Sequence, residues 1–163
     1  MEPTIRPYRE SDHTAFVVCM EDFQDYVGSI DPLGRIRLRE NFDGEAYVAN
    51  LLQKVEKQHG AIFIAEADGN IIGLIAGIIQ DKSVDDLLEI FPTVDGMILE
   101  LYLQKEWRGK SLGRQLMETM ESYFRQKQCA TVVVGCFGLN VDAHTFYCKL
   151  GYHDRHIEMM KVL

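Results

Sequence analysis

The spacing of apolar residues predicts ten secondary-structure elements in the order βααβββαβαβ. The first half of the chain opens with a short strand, "TIRPY", followed by a helix that begins at Ser11 or Asp12 and runs to Phe23. A second helix ends near Gly60. Its apolar face consists of Tyr47, Val48, Leu51, Leu52 and Val55. The stretch between the two helices contains several glycines, and its pattern predicts no definite element.

The second half of the chain is richer in strands. "AIFIAEAD" and "NIIGLIAGIIQ" are joined by "DGN", which is typical of a β-hairpin, and an acidic loop then leads to "MILELYLQ". An amphipathic helix follows, then the strand "ATVVVGCF", a helix capped by Asn140 and ended by Gly151, and a last strand, "RHIEMMKVL". The amphipathic helix is defined by Leu112, Leu116, Met117, Met120, Tyr123 and Phe124.

This order predicts an α/β protein of the α+β type, with a central mixed, mostly antiparallel sheet flanked by helices. Strands outnumber the helices that could cross between parallel strands, which argues against a doubly wound parallel sheet. The chain has 163 residues, the size of one domain, and contains no repeat or linker. We therefore expect a single domain over residues 1–163.

Net charge, cysteine spacing and the length of apolar runs indicate which partners and which cellular location to expect. A net charge of -8 argues against nucleic acid, whereas it fits either a cationic substrate or solubility alone. The cysteines form no CxxC pair and no metal-ligand spacing, so we expect buried thiols, a reducing compartment and no metal. No apolar signal segment opens the chain, and the longest apolar run, Ile71 to Ile79, is too short for a membrane span. These features predict a soluble, cytoplasmic protein.

The segment "EWRGKSLGRQLMETM" contains "GKS", the end of a nucleotide-binding Walker A loop. That loop needs a glycine five positions before Gly109, where this chain has Gln104. The following strand, "TVVVGCF", also lacks a final acidic residue suited to magnesium. The pattern therefore argues against a P-loop nucleotide enzyme, which stays the third and least favoured function.

The same segment is better explained as a pyrophosphate site at the beginning of a helix. Gly109 and Gly113 remove the Cβ atoms that would block close approach, and a helix N-terminus offers unpaired N–H groups and partial positive charge. Arg108, Lys110 and Arg114 add positive charge to an otherwise acidic chain. The alternative is an ordinary glycine-containing turn with solvated basic residues.

Two motifs resemble those of the GNAT superfamily of N-acetyltransferases. Residues 108 to 113, "RGKSLG", resemble the acetyl-CoA signature [Q/R]-x-x-G-x-[G/A], with Ser111 standing where the family prefers glycine. Asn140 to Tyr152 resembles a later family motif, N-x-x-A-x-x-F-Y-x-K-x-G-Y. The resemblance extends over the strand–helix order of nearly the whole chain and implies the acyl-CoA N-acyltransferase fold and acetyl transfer from acetyl-CoA to a primary amine, with no metal.

The resemblance also implies where the acetyl-CoA would lie. The family pairs the pantetheine arm with a splayed strand, here Leu101, Tyr102 and Leu103, and an N–H there, that of Leu101, would face the thioester oxygen. Asn140 corresponds to a residue that contacts the pantetheine. The complete set of expected cofactor-binding residues is Leu101, Tyr102, Leu103, Arg108, Gly109, Lys110, Ser111, Leu112, Gly113, Arg114, Asn140, Ala143 and Tyr147.

Two residues are candidates for proton transfer. Tyr147, at its place in the later motif, would protonate the leaving thiolate, since a phenol with an ordinary pKa near ~10 is protonated at neutral pH. Glu100 would accept the amine proton, directly or through water, or else is one solvated carboxylate on a strand. Strand alternation places Glu100 and Tyr102 opposite Leu99 and Leu101 unless a bulge intervenes.

The acceptor and the oligomeric state stay open. The family's acceptor side includes many acidic residues here, which either line a cleft for a cationic amine or form a solvated loop. These acceptor-side residues are Asp22, Asp25, Tyr26, Asp31, Asp81, Asp85, Asp86, Glu89 and Asp95. The final "IEMMKVL" either pairs across a homodimer interface or completes its own sheet. A non-catalytic acyl-CoA-binding or regulatory domain is the alternative function, which Ser111 supports.

Overall fold

A mixed five-stranded sheet forms the centre of the protein. The computed structural model describes residues 2–80 and 82–163, and the strands lie in the order β1-β2-β3-β4-β5. The first four pair antiparallel, and β5 runs parallel to β4. The predicted mixed, mostly antiparallel sheet is therefore confirmed. The strands are β1 (Thr4–Pro7), β2 (Ala61–Ala67), β3 (Asn70–Gln80), β4 (Asp95–Leu103) and β5 (Thr131–Val134).

Two pairs of helices cover opposite faces of this sheet. On one face, Phe16 and Met20 pack with Val48 and with Leu74 of β3. On the other face, buried leucine and methionine side chains pack against β3 and β4, and a further helix adds partly buried aromatic rings. The helices are α1 (His13–Ile30), α2 (Gly44–Lys57), α3 (Val84–Glu89), α4 (Leu112–Gln126) and α5 (Val141–Lys149). The α1/α2 face and the α4/α5 face each have a separate hydrophobic core.

Two strand glycines allow helix α4 to lie close to the sheet. A Cβ atom on Gly96 would lie 2.5 Å from the ring of Phe124, and one on Gly77 would lie 2.8 Å from the same ring. Phe124 is 1% exposed, so the ring has no room to move away. This contact fixes α4, and with it the loop that precedes α4, relative to β3 and β4.

Helix α1 is longer than predicted, because it continues through Gly28 to Ile30. The sequence prediction treated this glycine as part of an irregular stretch. Gly28 instead makes room for the next segment, since a Cβ there would lie 2.5 Å from Cδ2 of Leu38. Asp31 then orders that segment by accepting hydrogen bonds from three backbone N–H groups, those of residues 33, 35 and 36.

The two connections that flank β3 follow ordinary turn and cap chemistry. The β2–β3 hairpin is confirmed: Asp68 and Gly69 both have positive φ, 51° and 77°, as a type I′ turn requires. The predicted acidic loop contains the short helix α3, which the prediction missed. Ser83 and Asp86 form a reciprocal capping box at its beginning.

The predicted last strand is absent from the fold. Residues 153–163 form no strand, and Ile157, Met159 and Val162 are exposed. The available partner strand, β5, has only four residues, which is too short an edge to hold a nine-residue strand. The expected homodimer stays a prediction.

Two further expectations concern the whole chain. Cys19 is buried as predicted, but Cys136 and Cys148 are exposed thiols, so the expectation that all the cysteines are buried was wrong. The residues next to these two cysteines in the sequence are mostly apolar, but the cysteines themselves lie at the surface, near the ends of β5 and α5. Among residues 2–80 and 82–163, no helix is long and apolar enough to cross a membrane.

We expect Gly96→Ala to lower the free energy of unfolding by about 2–3 kcal/mol, because the new methyl group overpacks against Phe124. Chemical denaturation of both proteins measures this. Gly138→Ala is the matched control, since a Cβ at Gly138 meets no atom within 4 Å. Adding Phe124→Leu to Gly96→Ala tests the cause: strictly additive losses would show that the methyl group and the ring do not clash.

Candidate functional site

The sheet divides where the pairing of β4 with β5 stops. The last paired residues are Ile98 and Val134, whereas β4 continues to Leu103 beside β3. The N–H of Gln104 donates to the carbonyl of Ile72 on β3, so strand alternation turns the peptide groups of Leu101 and Leu103 toward the unpaired side. The Leu101 N–H therefore lies on the open edge, as the family resemblance implied.

A β-bulge determines which side chains flank this edge. Ala76 of β3 pairs with Glu100 and Gly77 pairs with Ile98, so Leu99 is the extra residue. Leu99 and Tyr102 both pack on the α1/α2 face, whereas Leu101 packs on the α4/α5 face. The bulge thus places Leu99 on the same side as Tyr102, which is the exception to strand alternation that the sequence analysis allowed for.

Glu100 is a buried carboxylate with one hydrogen-bond donor. It is 7% exposed, and the hydroxyl of Tyr47 on α2 donates to its Oε1. Burial raises the pKa of Glu100 to about 7, while the Tyr47 hydrogen bond and the charge of Lys54 oppose that rise. A carboxylate with this pKa can gain or lose a proton at neutral pH.

Tyr147 lies on α5 and packs in the core of the α4/α5 face, whereas the Tyr47 partner of Glu100 packs in the core of the α1/α2 face. Its ring packs against Phe146 and Tyr152, with centroids 5.4 and 6.0 Å away. Burial raises the pKa of Tyr147 to about 12, and the charges of Cys136 and Glu100 add to the effect. The phenol is therefore protonated at neutral pH and available as a proton donor.

The loop before α4 presents a row of free backbone donors. Gly109 and Ser111 both have left-handed φ, 74° and 61°, and no side chain caps the helix. In the described part of the chain, the N–H groups of residues 109–114 donate no hydrogen bond. The Ser111 hydroxyl instead donates to the carbonyl of Lys110 at 2.6 Å. Such a row at a helix N-terminus suits a pyrophosphate.

The two glycines of this loop also have roles in the protein itself, beside the close approach of a ligand that was predicted for them. Gly109 is required for its left-handed backbone, and a Cβ there would meet no atom within 4 Å. A Cβ on Gly113 would lie 3.3 Å from Leu103 and 3.4 Å from Phe146. Gly113 therefore brings α4 close to β4 and α5.

The three basic residues near the loop point in different directions. Arg108 donates from Nε to the carbonyl of Leu103 at 3.0 Å, and its guanidinium lies 4.9 Å from the ring centroid of Tyr26. Lys110 lies over Trp107, and Arg114 pairs weakly with Glu118 along the helix. Arg108 thus closes the outer end of the open edge and connects it with α1.

Asn140 begins α5 as predicted and also joins it to α1. Its Oδ1 accepts from the N–H of Ala143 at 3.2 Å and from the hydroxyl of Tyr26 at 3.3 Å. The Nδ2 group donates no hydrogen bond within residues 2–80 and 82–163. It is the part of this side chain that could bind a ligand.

The acidic residues on the predicted acceptor side do not form one open cluster. Asp22 and Asp25 pair with Arg39, and Asp95 is buried beside Lys82 and Thr131. Asp31 and Asp86 accept backbone N–H groups, so their carboxylates are also engaged. Asp85 and Glu89 remain exposed on α3, and Asp81 lies outside the described residues.

The sequence prediction missed the role of Tyr47. Its position on an apolar helix face indicated only packing, and Glu100 is 53 positions away in the chain. No local pattern connects the two residues. Only the docking of α2 against the bulged part of β4 brings them together.

Comparisons with known proteins agree with this geometry. The sequence model described as "Acetyltransferase (GNAT) family" matches residues 30–152. An uncharacterized N-acetyltransferase of Methanocaldococcus jannaschii is 34% identical over 96 residues, which cover 58% of this chain and 54% of that protein. This chain thus spans about half the length of that relative. An aminoglycoside N(6')-acetyltransferase of Stenotrophomonas maltophilia is 25% identical over 69% of this chain and 72% of its own.

A solved structure gives the same fold. The aminoglycoside acetyltransferase AAC(6')-Iy, in complex with the bisubstrate analogue CoA-S-monomethyl-acetylneamine, superposes with a TM-score of 0.72. The alignment covers all of both chains at 17% sequence identity. At that identity the likeness concerns the fold, including the mixed sheet with helices on both faces.

The raised pKa of Glu100 predicts a specific dependence of stability on pH. From pH 4.5 to about 7 the unfolded chain releases this proton while the folded protein keeps it, so stability falls as pH rises through that window. Glu100→Gln removes the titration. We therefore expect the free energy of unfolding of Glu100→Gln minus that of wild type to become more positive by on the order of 3 kcal/mol between pH 4.5 and pH 8.

Denaturant unfolding at a series of pH values measures this difference. Glu118→Gln, on the exposed surface of α4, is the control and should follow the wild-type curve. Parallel curves for wild type and Glu100→Gln would contradict the assignment of a buried, titrating carboxylate.

Proposed function

Because the chain belongs to the GNAT family of acetyltransferases, we propose that it transfers the acetyl group of acetyl-CoA to a primary amine of a small molecule or peptide by direct attack. The observation that carries this proposal is the open edge of β4 at Leu101, with the buried Glu100 hydrogen-bonded to Tyr47 of the α1/α2 face and the partly buried Tyr147 in the α4/α5 core. We further propose that residues 1–163 act as one such domain.

The open edge and the loop before α4 together fit acetyl-CoA. The pantetheine arm would pair with the peptide groups of Leu101 and Leu103 as an added strand, with Asn140 Nδ2 as a further donor. The pyrophosphate would receive the N–H groups of residues 109–114. Arg108 would release the Leu103 carbonyl and turn toward the phosphates.

The chemistry then requires two proton transfers. The amine loses a proton to Glu100, directly or through water, and its nitrogen attacks the acetyl carbonyl, whose oxygen accepts a hydrogen bond from the Leu101 N–H. The new C–N bond forms as the C–S bond breaks. Tyr147 gives its proton to the departing sulfur and regains one, through water, from the amide nitrogen, which sheds its second proton as the intermediate collapses. Glu100 releases its proton to solvent, so the products are the amide and coenzyme A thiol.

The amine itself is proposed only by class. One relative and one solved structure are named for aminoglycosides, which are cationic amines. The net charge of -8 and the exposed Asp85 and Glu89 support a cationic acceptor. We therefore propose a polyamine, an aminoglycoside or a peptide amine.

Ser111 offers a direct test of the pyrophosphate site. We expect Ser111→Asp to weaken acetyl-CoA binding at least ~10-fold, since a carboxylate would lie beside the phosphates. Aspartate tolerates a left-handed backbone and caps helices well, so the fold should be retained. Calorimetric titration with acetyl-CoA measures the affinity.

Ser111→Gly is the matched control, because it keeps the N–H and removes the side chain. It should bind as tightly as wild type or more tightly. If Ser111→Asp binds as well as wild type, the pyrophosphate does not lie at this loop.

Tyr147→Phe tests the proposed acid. Loss of the phenolic proton should lower kcat by about 100-fold while leaving the affinity for acetyl-CoA nearly unchanged. Mass spectrometry of products formed from spermidine, kanamycin and a lysine peptide measures turnover. Unchanged kcat would remove Tyr147 from the mechanism, and tight acetyl-CoA binding without turnover of any acceptor would favour the non-catalytic alternative.

A further inference from the structure

The hydrogen bond between Tyr47 and Glu100 joins α2 to the reacting edge of β4. The Tyr47 hydroxyl donates to Oε1 of Glu100. Within the described part of the chain, Oε2 accepts no hydrogen bond, and it retains some solvent-accessible surface. One carboxylate oxygen is therefore held, and the other remains open to water or to a substrate.

The Tyr47 ring has little freedom to leave this position. It lies in the first turn of α2, where its N–H donates to the carbonyl of Asp43 and its ring packs 5.2 Å from that of Phe42. A Cβ on Gly44 would lie 2.9 Å from Val17, so the beginning of α2 is fitted closely against α1. The hydroxyl is held by the packing of two helices.

In this hydrogen bond Tyr47 is the donor and the Glu100 carboxylate is the acceptor. Burial, followed by the charge of Glu100, raises the pKa of Tyr47 well above its ordinary value, so the phenol keeps its proton and acts as donor. A donor stabilises the charged carboxylate and not the neutral acid. Burial of Glu100 acts the opposite way, because it disfavours the charge.

We propose that Tyr47 is a positioning residue that holds the buried Glu100 carboxylate in its charged, proton-accepting form. This inference rests on the proposed function for its catalytic consequence, but the interaction itself concerns only the free protein. Other groups near this part of the sheet are Lys54 on α2, Tyr147 on α5, and Asp22 and Cys19 on α1, which face the neighbouring Tyr102. Within residues 2–80 and 82–163, none of these four groups hydrogen-bonds to Glu100, whereas Tyr47 does.

The direct test follows the Glu100 carboxyl group in the free protein. Carbon-13 NMR of glutamate-labelled protein, with the Glu100 signal assigned by its loss in Glu100→Gln, gives the pKa of this group. In Tyr47→Phe we expect that pKa to rise by about one unit, because the donor to the carboxylate is lost. An unchanged pKa would overturn the inference, whether or not the protein is an acetyltransferase.

Two further variants separate the hydrogen bond from other effects. Tyr123→Phe loses a hydroxyl that donates to the carbonyls of His59 and Gly60, far from Glu100, and should leave the Glu100 signal unchanged. Lys54→Met removes a charge without removing a hydrogen bond and should raise the Glu100 pKa less than Tyr47→Phe does. A Lys54→Met shift equal to or larger than that of Tyr47→Phe would show that charge, not Tyr47, holds the carboxylate. If Tyr47→Phe folds poorly, a rise of about one pKa unit or more in Lys54→Met would overturn the inference in the same way.

The catalytic consequence is measured with the acceptor from the amine panel that gives turnover. The acidic limb of kcat/KM should move to higher pH by about one unit in Tyr47→Phe, which lowers kcat/KM about tenfold below that limb, with KM for acetyl-CoA unchanged. A shifted Glu100 pKa with an unmoved limb would overturn the catalytic part and remove Glu100 as the base. Absence of turnover in wild type would instead count against the proposed function alone.

Discussion

Among the residues that the structure describes, strand β4 has no neighbouring strand on one side beyond Ile98, and peptide groups inside a protein need hydrogen-bond partners. This constraint organises the site. The carbonyl of Leu103 is satisfied by Arg108, whose guanidinium also lies over Tyr26. The peptide group of Leu101 has no such hydrogen-bond partner in the described part of the chain. A ligand that supplies an extended amide chain can complete the edge in the way another strand would.

The loop before α4 also leaves hydrogen-bond donors unpaired, here the backbone N–H groups at the beginning of a helix. Helix N-termini are usually capped by a side chain, but here Ser111 has a left-handed backbone and its hydroxyl donates to a carbonyl. The uncapped donors keep their direction because α4 is fixed by Phe124 against Gly77 and Gly96. A rigid helix with free N–H groups is ready to bind an anion without rearrangement.

The parts of the site that could be predicted from sequence are those encoded in short, continuous motifs. Asn140 is three residues from the N–H that it caps, so its role follows from local geometry. The partner of Glu100 is far away in the chain, and the carboxylates of Asp22 and Asp95 gain their partners only from tertiary packing. Periodicity also predicts an apolar strand at the C-terminus, but it does not predict whether a neighbouring edge is long enough to hold that strand.

The division between local and long-range features bears on how such a protein diversifies. The groups suited to a cofactor lie in two motifs on β4–α4 and α5, whereas Glu100 depends on α2, which belongs to neither motif. Burial raises the Glu100 pKa and the Tyr47 hydroxyl lowers it, so the balance is set by how closely α2 packs on β4. Under the proposed function, changes in α1 and α2 would therefore alter the proposed proton acceptor while leaving the proposed cofactor-binding edge of β4 intact. The proposed function is then divided between the open edge of the sheet, with its two sequence motifs, and a pair of helices that lie outside those motifs.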